Sequence, residues 1–158
     1  MKRIALVCTT SLLAACATQP KPLTDTTASS GAERSLDQLQ LDFEKADLKL
    51  RVEPATRTIR GDVALTFGAR APVTRIELDL DRNLPIDAIE VDGKPLLATQ
   101  WRNPEGKLTV DLPQRLEAGR QTTVRVQYHG TPHVAKRAPW DGGFVWSKTA
   151  DGQPWVAT

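Results

Sequence analysis

His129 and His133 are the chain's only imidazoles, and they stand four residues apart in the stretch YHGTPHV. On a helix that spacing puts both rings on one face. Zinc peptidases place two metal ligands this way, with a glutamate beside the first as general base. Here the intervening residues are Gly130, Thr131 and Pro132. Glycine weakens a helix, and proline removes a backbone donor and clashes with the preceding turn. Gly130 occupies the place of the glutamate, and no third histidine exists. The pair therefore reads as a strand end at Tyr128 followed by a solvated loop, with no metal ligand in this chain.

Other chemistry-bearing residues are as thinly supported. Glu77 and Asp79 alternate with Ile76, Leu78 and Leu80, while Asp81 and Asp87 flank a turn. Such carboxylates can hold calcium, but the alternation puts Glu77 and Asp79 on the wet face of a strand, where acids ordinarily solubilise. No nucleophile elbow surrounds a serine, and no glycine loop follows a strand into a helix to cradle phosphate. The predicted catalytic and metal residues are none.

The cysteines carry a clearer signal. Cys8 and Cys16 are the only two. Lys2 and Arg3 open a short apolar run that ends in Leu13-Ala14-Ala15-Cys16. This is the layout of a secretory signal peptide, too short for a permanent membrane helix. Its end resembles a bacterial lipobox, which implies lipidation of Cys16 and a protein held on a bilayer. Ala17, where an aspartate would favour retention, implies the outer membrane, facing the periplasm. With Cys8 removed and Cys16 acylated, no thiol remains for a disulfide or a thiolate metal site. The whole chain has 21 basic and 19 acidic residues. Loss of Lys2 and Arg3 with the leader makes the mature chain neutral, and no Lys/Arg cluster points to nucleic acid.

The elements that would position any site are strands. Residues 1–15 form the leader. Residues 16–40, rich in Thr, Ser, Ala, Pro and Gln, read as the lipidated cysteine and a flexible linker, with a short helix possible in ERSLDQLQLDFEK. From residue 41 to 130 the pattern has period two. Leu48, Leu50 and Val52 alternate with Lys49 and Arg51. Ile59, Gly61, Val63, Leu65 and Phe67 share a face, and Gly61 in an inward slot marks a bulge or a close neighbour. VTRIELDL, KLTVDLP and QTTVRVQYHG alternate likewise, and Asp92-Gly93 marks a tight hairpin. LPQRLEAGRQ reads as a turn with Leu116 tucked inward. About seven short strands of this kind predict an all-β fold, an antiparallel sandwich or saddle-shaped sheet with one wet face. Residues 131–158 read as an irregular aromatic segment holding Trp140, Trp146 and Trp155.

Several blocks resemble the N-terminal domain of aminopeptidase N-type (gluzincin) zinc metallopeptidases. Asp47, Leu48, Leu50, Val52 and Pro54 match the family's opening strand, and Gly61, Val63, Leu65 and Phe67 match the second. IELDLDRNLPIDAIEVDG, VRVQYHGTP and GGFVWSKTADGQPWVAT follow in the family's order, so the resemblance covers residues 42–158. It implies a non-catalytic β domain of a membrane-anchored zinc aminopeptidase that removes N-terminal residues from peptides. Zinc, the His-Glu-x-x-His helix and the substrate-gripping stretch would belong to a catalytic domain missing from this chain, which would make it a fragment. The resemblance places Gln153, Pro154 and Trp155 nearest the substrate cleft. The alternative is a complete, non-enzymatic envelope lipoprotein that binds a protein or glycan through Trp140, Trp146 and Trp155.

Overall fold

A computed structural model describes residues 33–138, 140 and 142–158. The leader, Cys16 and the linker up to residue 32 lie outside them. The first element among these residues is one helical turn, α1 (Leu36–Leu39). Ser35 Oγ accepts the Gln38 N–H at 3.2 Å and Gln38 Oε1 accepts the Ser35 N–H at 3.0 Å, so two otherwise orphaned donors are satisfied reciprocally. Arg75 reaches Asp37 at 3.0 Å and ties the turn to the body. The chain then becomes strand at once, where the sequence allowed helix as far as Lys45.

Ten strands follow among the described residues: β1 (Leu41–Glu53), β2 (Thr58–Ala69), β3 (Val73–Asp79), β4 (Ile86–Val91), β5 (Lys94–Pro95), β6 (Trp101–Arg102), β7 (Lys107–Leu116), β8 (Gln121–Gly130), β9 (Val145–Lys148) and β10 (Pro154–Ala157). They form an antiparallel five-stranded sheet in the order β1-β2-β8-β4-β5, a three-stranded sheet β3-β7-β6, and the hairpin β9–β10. The all-β expectation holds.

Register shows why period two was legible. Leu48 pairs with Val63, and Val63 with Val126; Leu65 pairs with Val124. Ile89 and Val91 of β4 meet Val126 and Val124. All these side chains point to one face, because cross-strand partners share a side. The three-stranded sheet lays Ile76, Leu108 and Val110 on that face, each fully buried, as is Val124. Fully burying each such side chain contributes about 1.5–3 kcal/mol. The opposite face is charged. Arg125 grips Asp62 through two bonds of 2.7 Å and lies 3.5 Å from Glu90.

The Asp92-Gly93 turn has φ of 51° and 75°, the left-handed pair that a two-residue hairpin requires. Asp92 also accepts from the Thr123 N–H at 2.8 Å and from Thr122 Oγ1 at 3.0 Å, which fixes the hairpin onto β8.

Four expectations need correction. β7 does not turn after Leu112 but runs on to Leu116; a register shift between Val73 and Arg75 of β3 leaves room for Pro113, which cannot donate to a ladder. β8 runs past Tyr128 to Gly130, because Ile59 and Arg60 of β2 pair with Gly130 and His129. Residues 131–158 are not wholly irregular: β9 and β10 form a hairpin whose strands are too short for alternation to register. Finally, the alternating apolar residues Leu48, Leu50 and Val52 of β1 are not covered, although Leu41 at the start of the strand is buried. Leu48 and Leu50 are 59% and 57% exposed.

Gly61 has a close neighbour. The Tyr128 ring lies across it, and a Cβ at residue 61 would come 2.2 Å from Tyr128 Cζ. Aromatic cover of a strand glycine replaces the side chain that the glycine lacks. Gly61→Ala should therefore destabilise the domain by about 1–3 kcal/mol through displacement of that ring. In a Tyr128→Ala background the same change should cost distinctly less. Urea unfolding of the four chains of this double-mutant cycle measures the coupling.

Candidate functional site: the aromatic groove and its latch

The β1–β2 turn and the β9–β10 hairpin enclose an open groove of about 510 Å³. Glu53, Pro54 and Arg57 line one side; Trp146, Lys148, Pro154 and Trp155 line the other. Trp155 is 57% exposed. Trp146 stacks on Phe144, with ring centroids 5.3 Å apart and planes at 20°. Its Nε1 is buried and has no hydrogen-bond partner among the described residues. Of the residues expected near a cleft, Pro154 and Trp155 line this groove. Gln153 acts at the hairpin's end: its N–H donates to Thr149 Oγ1 at 3.0 Å, and its carbonyl accepts the Thr149 N–H at 2.9 Å. Trp140 is 83% exposed and lies outside the groove lining.

The two histidines go to different carboxylates. His129 projects from β8 on the charged face, its Nδ1 2.8 Å from Asp87 Oδ1 but poorly aligned for a hydrogen bond. Arg60 approaches the other oxygen of Asp87 at 3.4 Å. His133 lies in the following loop. Its backbone N–H donates to Asp81 Oδ2 at 2.8 Å, and its Nδ1 lies 3.0 Å from the same oxygen. His133 Nε2 lies 2.7 Å from the Gly142 carbonyl. Among the described residues no three potential ligands converge. With both imidazoles engaged on separate acids, these residues do not fit a zinc ion. The acidic strip is divided in the same way: Glu77 pairs with Lys107 at 3.3 Å, and Asp81 serves His133.

Asp81 and His133 form a latch. Asp81 also accepts the Asn83 N–H at 2.9 Å, which shapes the turn between β3 and β4. Beyond His133 the chain is stitched to the segment entering β9: Phe144 N–H donates to the His133 carbonyl at 2.9 Å and Ala135 N–H to the Phe144 carbonyl at 3.1 Å. A side chain on Gly143 would strike the imidazole at 2.8 Å. The hairpin that builds one wall of the groove is thus held to the main body through this imidazole. Sequence reasoning missed the latch because its partners are 52 residues apart, and no local pattern signals such a pair.

Burial pushes the Asp81 carboxyl up, but the N–H groups of His133 and Asn83 and the imidazole outweigh it, so it titrates below its ordinary 3.8. A carboxyl lowered in the folded state adds stability above its unfolded value and loses it as pH falls through the folded value. Amide protection at His133, Ala135 and Phe144 should therefore persist at neutral pH and decline as pH drops below 3.8. Asp81→Asn should remove it at neutral pH, at a cost on the order of 1–3 kcal/mol. Hydrogen exchange read by mass spectrometry checks both.

Comparison with known proteins places the domain. No family model matches the chain, and no curated protein does. Solved structures do. A two-domain M1 zinc metallopeptidase bound to L-arginine is 30% identical, with a TM-score of 0.56, over 73% of this chain and 28% of that one. The M1 zinc metallopeptidase from Deinococcus radiodurans is 32% identical, with a TM-score of 0.56, over 72% of this chain and 27% of that one. A form of the Deinococcus radiodurans enzyme bound to a Tyr-Ser-Ala substrate is 30% identical, with a TM-score of 0.55. The β domain is similar in both fold and sequence to M1 zinc metallopeptidases. More particularly, it bears out the resemblance to the N-terminal domain of the aminopeptidase N type, and the chain spans about 28% of the length of the structure it matches.

Proposed function

We propose that this chain is the non-catalytic β domain of a membrane-anchored zinc aminopeptidase whose full form removes N-terminal residues from peptides. The observation that carries this reading is the shared fold at 30% identity over 73% of the chain, matched to little more than a quarter of an M1 zinc metallopeptidase. The domain's role is scaffold and cleft wall. The groove fits that role: it has an exposed indole at Trp155 and a rigid Pro154, and the Trp146 ring forms part of its lining. Large aromatics in a concave setting favour contact with an extended apolar or peptide chain. Zinc and its ligands belong to a second domain in this reading, since the histidines here are engaged elsewhere.

The anchor is the lipidated Cys16, supported by the Leu13-Ala14-Ala15-Cys16 run, with the outer membrane facing the periplasm as the expected site. Cys16→Ser should abolish incorporation of radiolabelled acyl chains and move the protein from the membrane fraction to the soluble one. Retention in the membrane fraction would overturn the anchor.

The enzymatic reading is tested by the DNA after codon 158. A reading frame there that encodes His-Glu-x-x-His supports it; a locus without one removes it. In an enzyme that contains this domain, Trp155→Ala should raise KM on the order of tenfold with kcat nearly unchanged, the mark of lost uniform binding. This chain by itself should hydrolyse no aminoacyl substrate.

A further inference from the structure

β1 is the outer strand of the five-stranded sheet, and its far edge has no strand partner among the described residues. It is long, at 13 residues, and has no proline before Pro54. A bulge between Phe43 and Lys45 ends its regular part, which runs from Lys45 to Glu53. Such an edge is a template for another strand unless something protects it.

Lys45 and Lys49 alone would read as protection, but the side chains between and beyond them do not. On the charged face the order is Lys45, Asp47, Lys49, Arg51, Glu53; on the other it is Ala46, Leu48, Leu50, Val52. An antiparallel copy of this strand, related by a two-fold axis at Lys49, sets Lys45 against Glu53 and Asp47 against Arg51. The same register sets Leu48 against Leu50 and Ala46 against Val52. An axis at Leu48 would instead set Lys45 against Arg51. An axis at Leu50 would set Lys49 against Arg51 and Asp47 against Glu53. Only the Lys49 axis gives opposite charges at both flanking pairs, in the middle of the regular stretch. The single like pair is Lys49 with its own copy, and each Lys49 already stands opposite Asp62 on β2.

The sheet leaves charges for such a partner. Arg51 stands opposite Arg60 on β2, a like charge. Neither Arg51 nor Glu53 has an ion-pair partner among the described residues. Among the described residues Lys45 finds only Asp47 of its own strand, at 2.8 Å, with both side chains about two-thirds exposed. On the apolar side, Leu48 at 59% and Leu50 at 57% exposure face solvent where a partner strand would extend the apolar row.

We propose that two copies of this protein pair edge to edge through β1, antiparallel and centred on Lys49, to form one continuous sheet across a two-fold axis. The interface is isologous, so it closes at two copies and does not propagate. Backbone hydrogen bonds supply attraction, and the Lys45–Glu53 and Asp47–Arg51 pairs, each present twice, set the register.

The test is made on the full chain in its membrane. Directly opposed residues of antiparallel strands have Cα atoms about 4.5–5.5 Å apart, within disulfide reach. Lys49→Cys should give a covalent dimer on a non-reducing gel well above the level of the unsubstituted chain. Lys45→Cys should do so only when co-expressed with Glu53→Cys. Charge reversal supplies an independent arm that unfolded chains cannot satisfy. Asp47→Arg and Arg51→Asp should each weaken self-association on the order of tenfold or more. Mixing the two should restore it, because each then offers the other opposite charge at both pairs. Lys49→Cys crosslinking no better than the unsubstituted chain, or charge variants that associate no better mixed than alone, would overturn the proposal.

Discussion

A five-stranded sheet and a three-stranded sheet share one apolar face, and the difference in their widths governs the rest of the molecule. The narrower sheet buries Val124, Val126, Ile89 and Val91 at the centre of the wider one, under Ile76, Leu108 and Val110. Van der Waals contact reaches no further than the side chains that supply it. The same face therefore continues past the cover, and Leu48 and Leu50 of β1 remain in solvent despite an alternation as regular as that of the core strands.

The boundary of the cover is marked by Tyr128. Its ring occupies the row that joins Leu50, Gly61 and Tyr128 across three strands and takes the place of a side chain at Gly61. Burial pushes its phenol up, as expected for a ring held half inside. From there β8 leads through Gly130 to His133, and the latch on Asp81 turns the chain toward the β9–β10 hairpin. The aromatic groove is thus assembled from the first turn of the sheet and the last hairpin of the chain. Only the closure of β1, β2 and β8 into one sheet brings these ends together.

The charged face follows a different logic. Arg125 sits between Asp62 and Glu90; the paired guanidinium holds Asp62 below the usual carboxylate range, and Lys49 adds a smaller pull. These groups are solvated, so their value lies in strand register more than in stability. Like-charged neighbours such as Arg51 and Arg60 are tolerated there because water screens them.

The amino-acid sequence by itself determined what depends on near neighbours. Alternation over Ile59–Phe67 and Thr122–Tyr128 set the strands and their inner faces, since side-chain direction in a strand is a local property. Asp92-Gly93 set a turn, because its dihedral angles are local as well. Gly130 and Pro132 excluded the helix that would have made a zinc pair of His129 and His133. Tertiary structure decided the rest. Whether an apolar face is covered depends on the width of the opposing sheet, so Leu48 and Leu50 look like Val124 and Val126 in sequence and differ in burial. Which carboxylate meets which imidazole depends on residues dozens of positions apart. The short strands β6, β9 and β10 depend on partners more than on their own pattern, and so does the groove that Pro54 and Trp155 line from opposite sides.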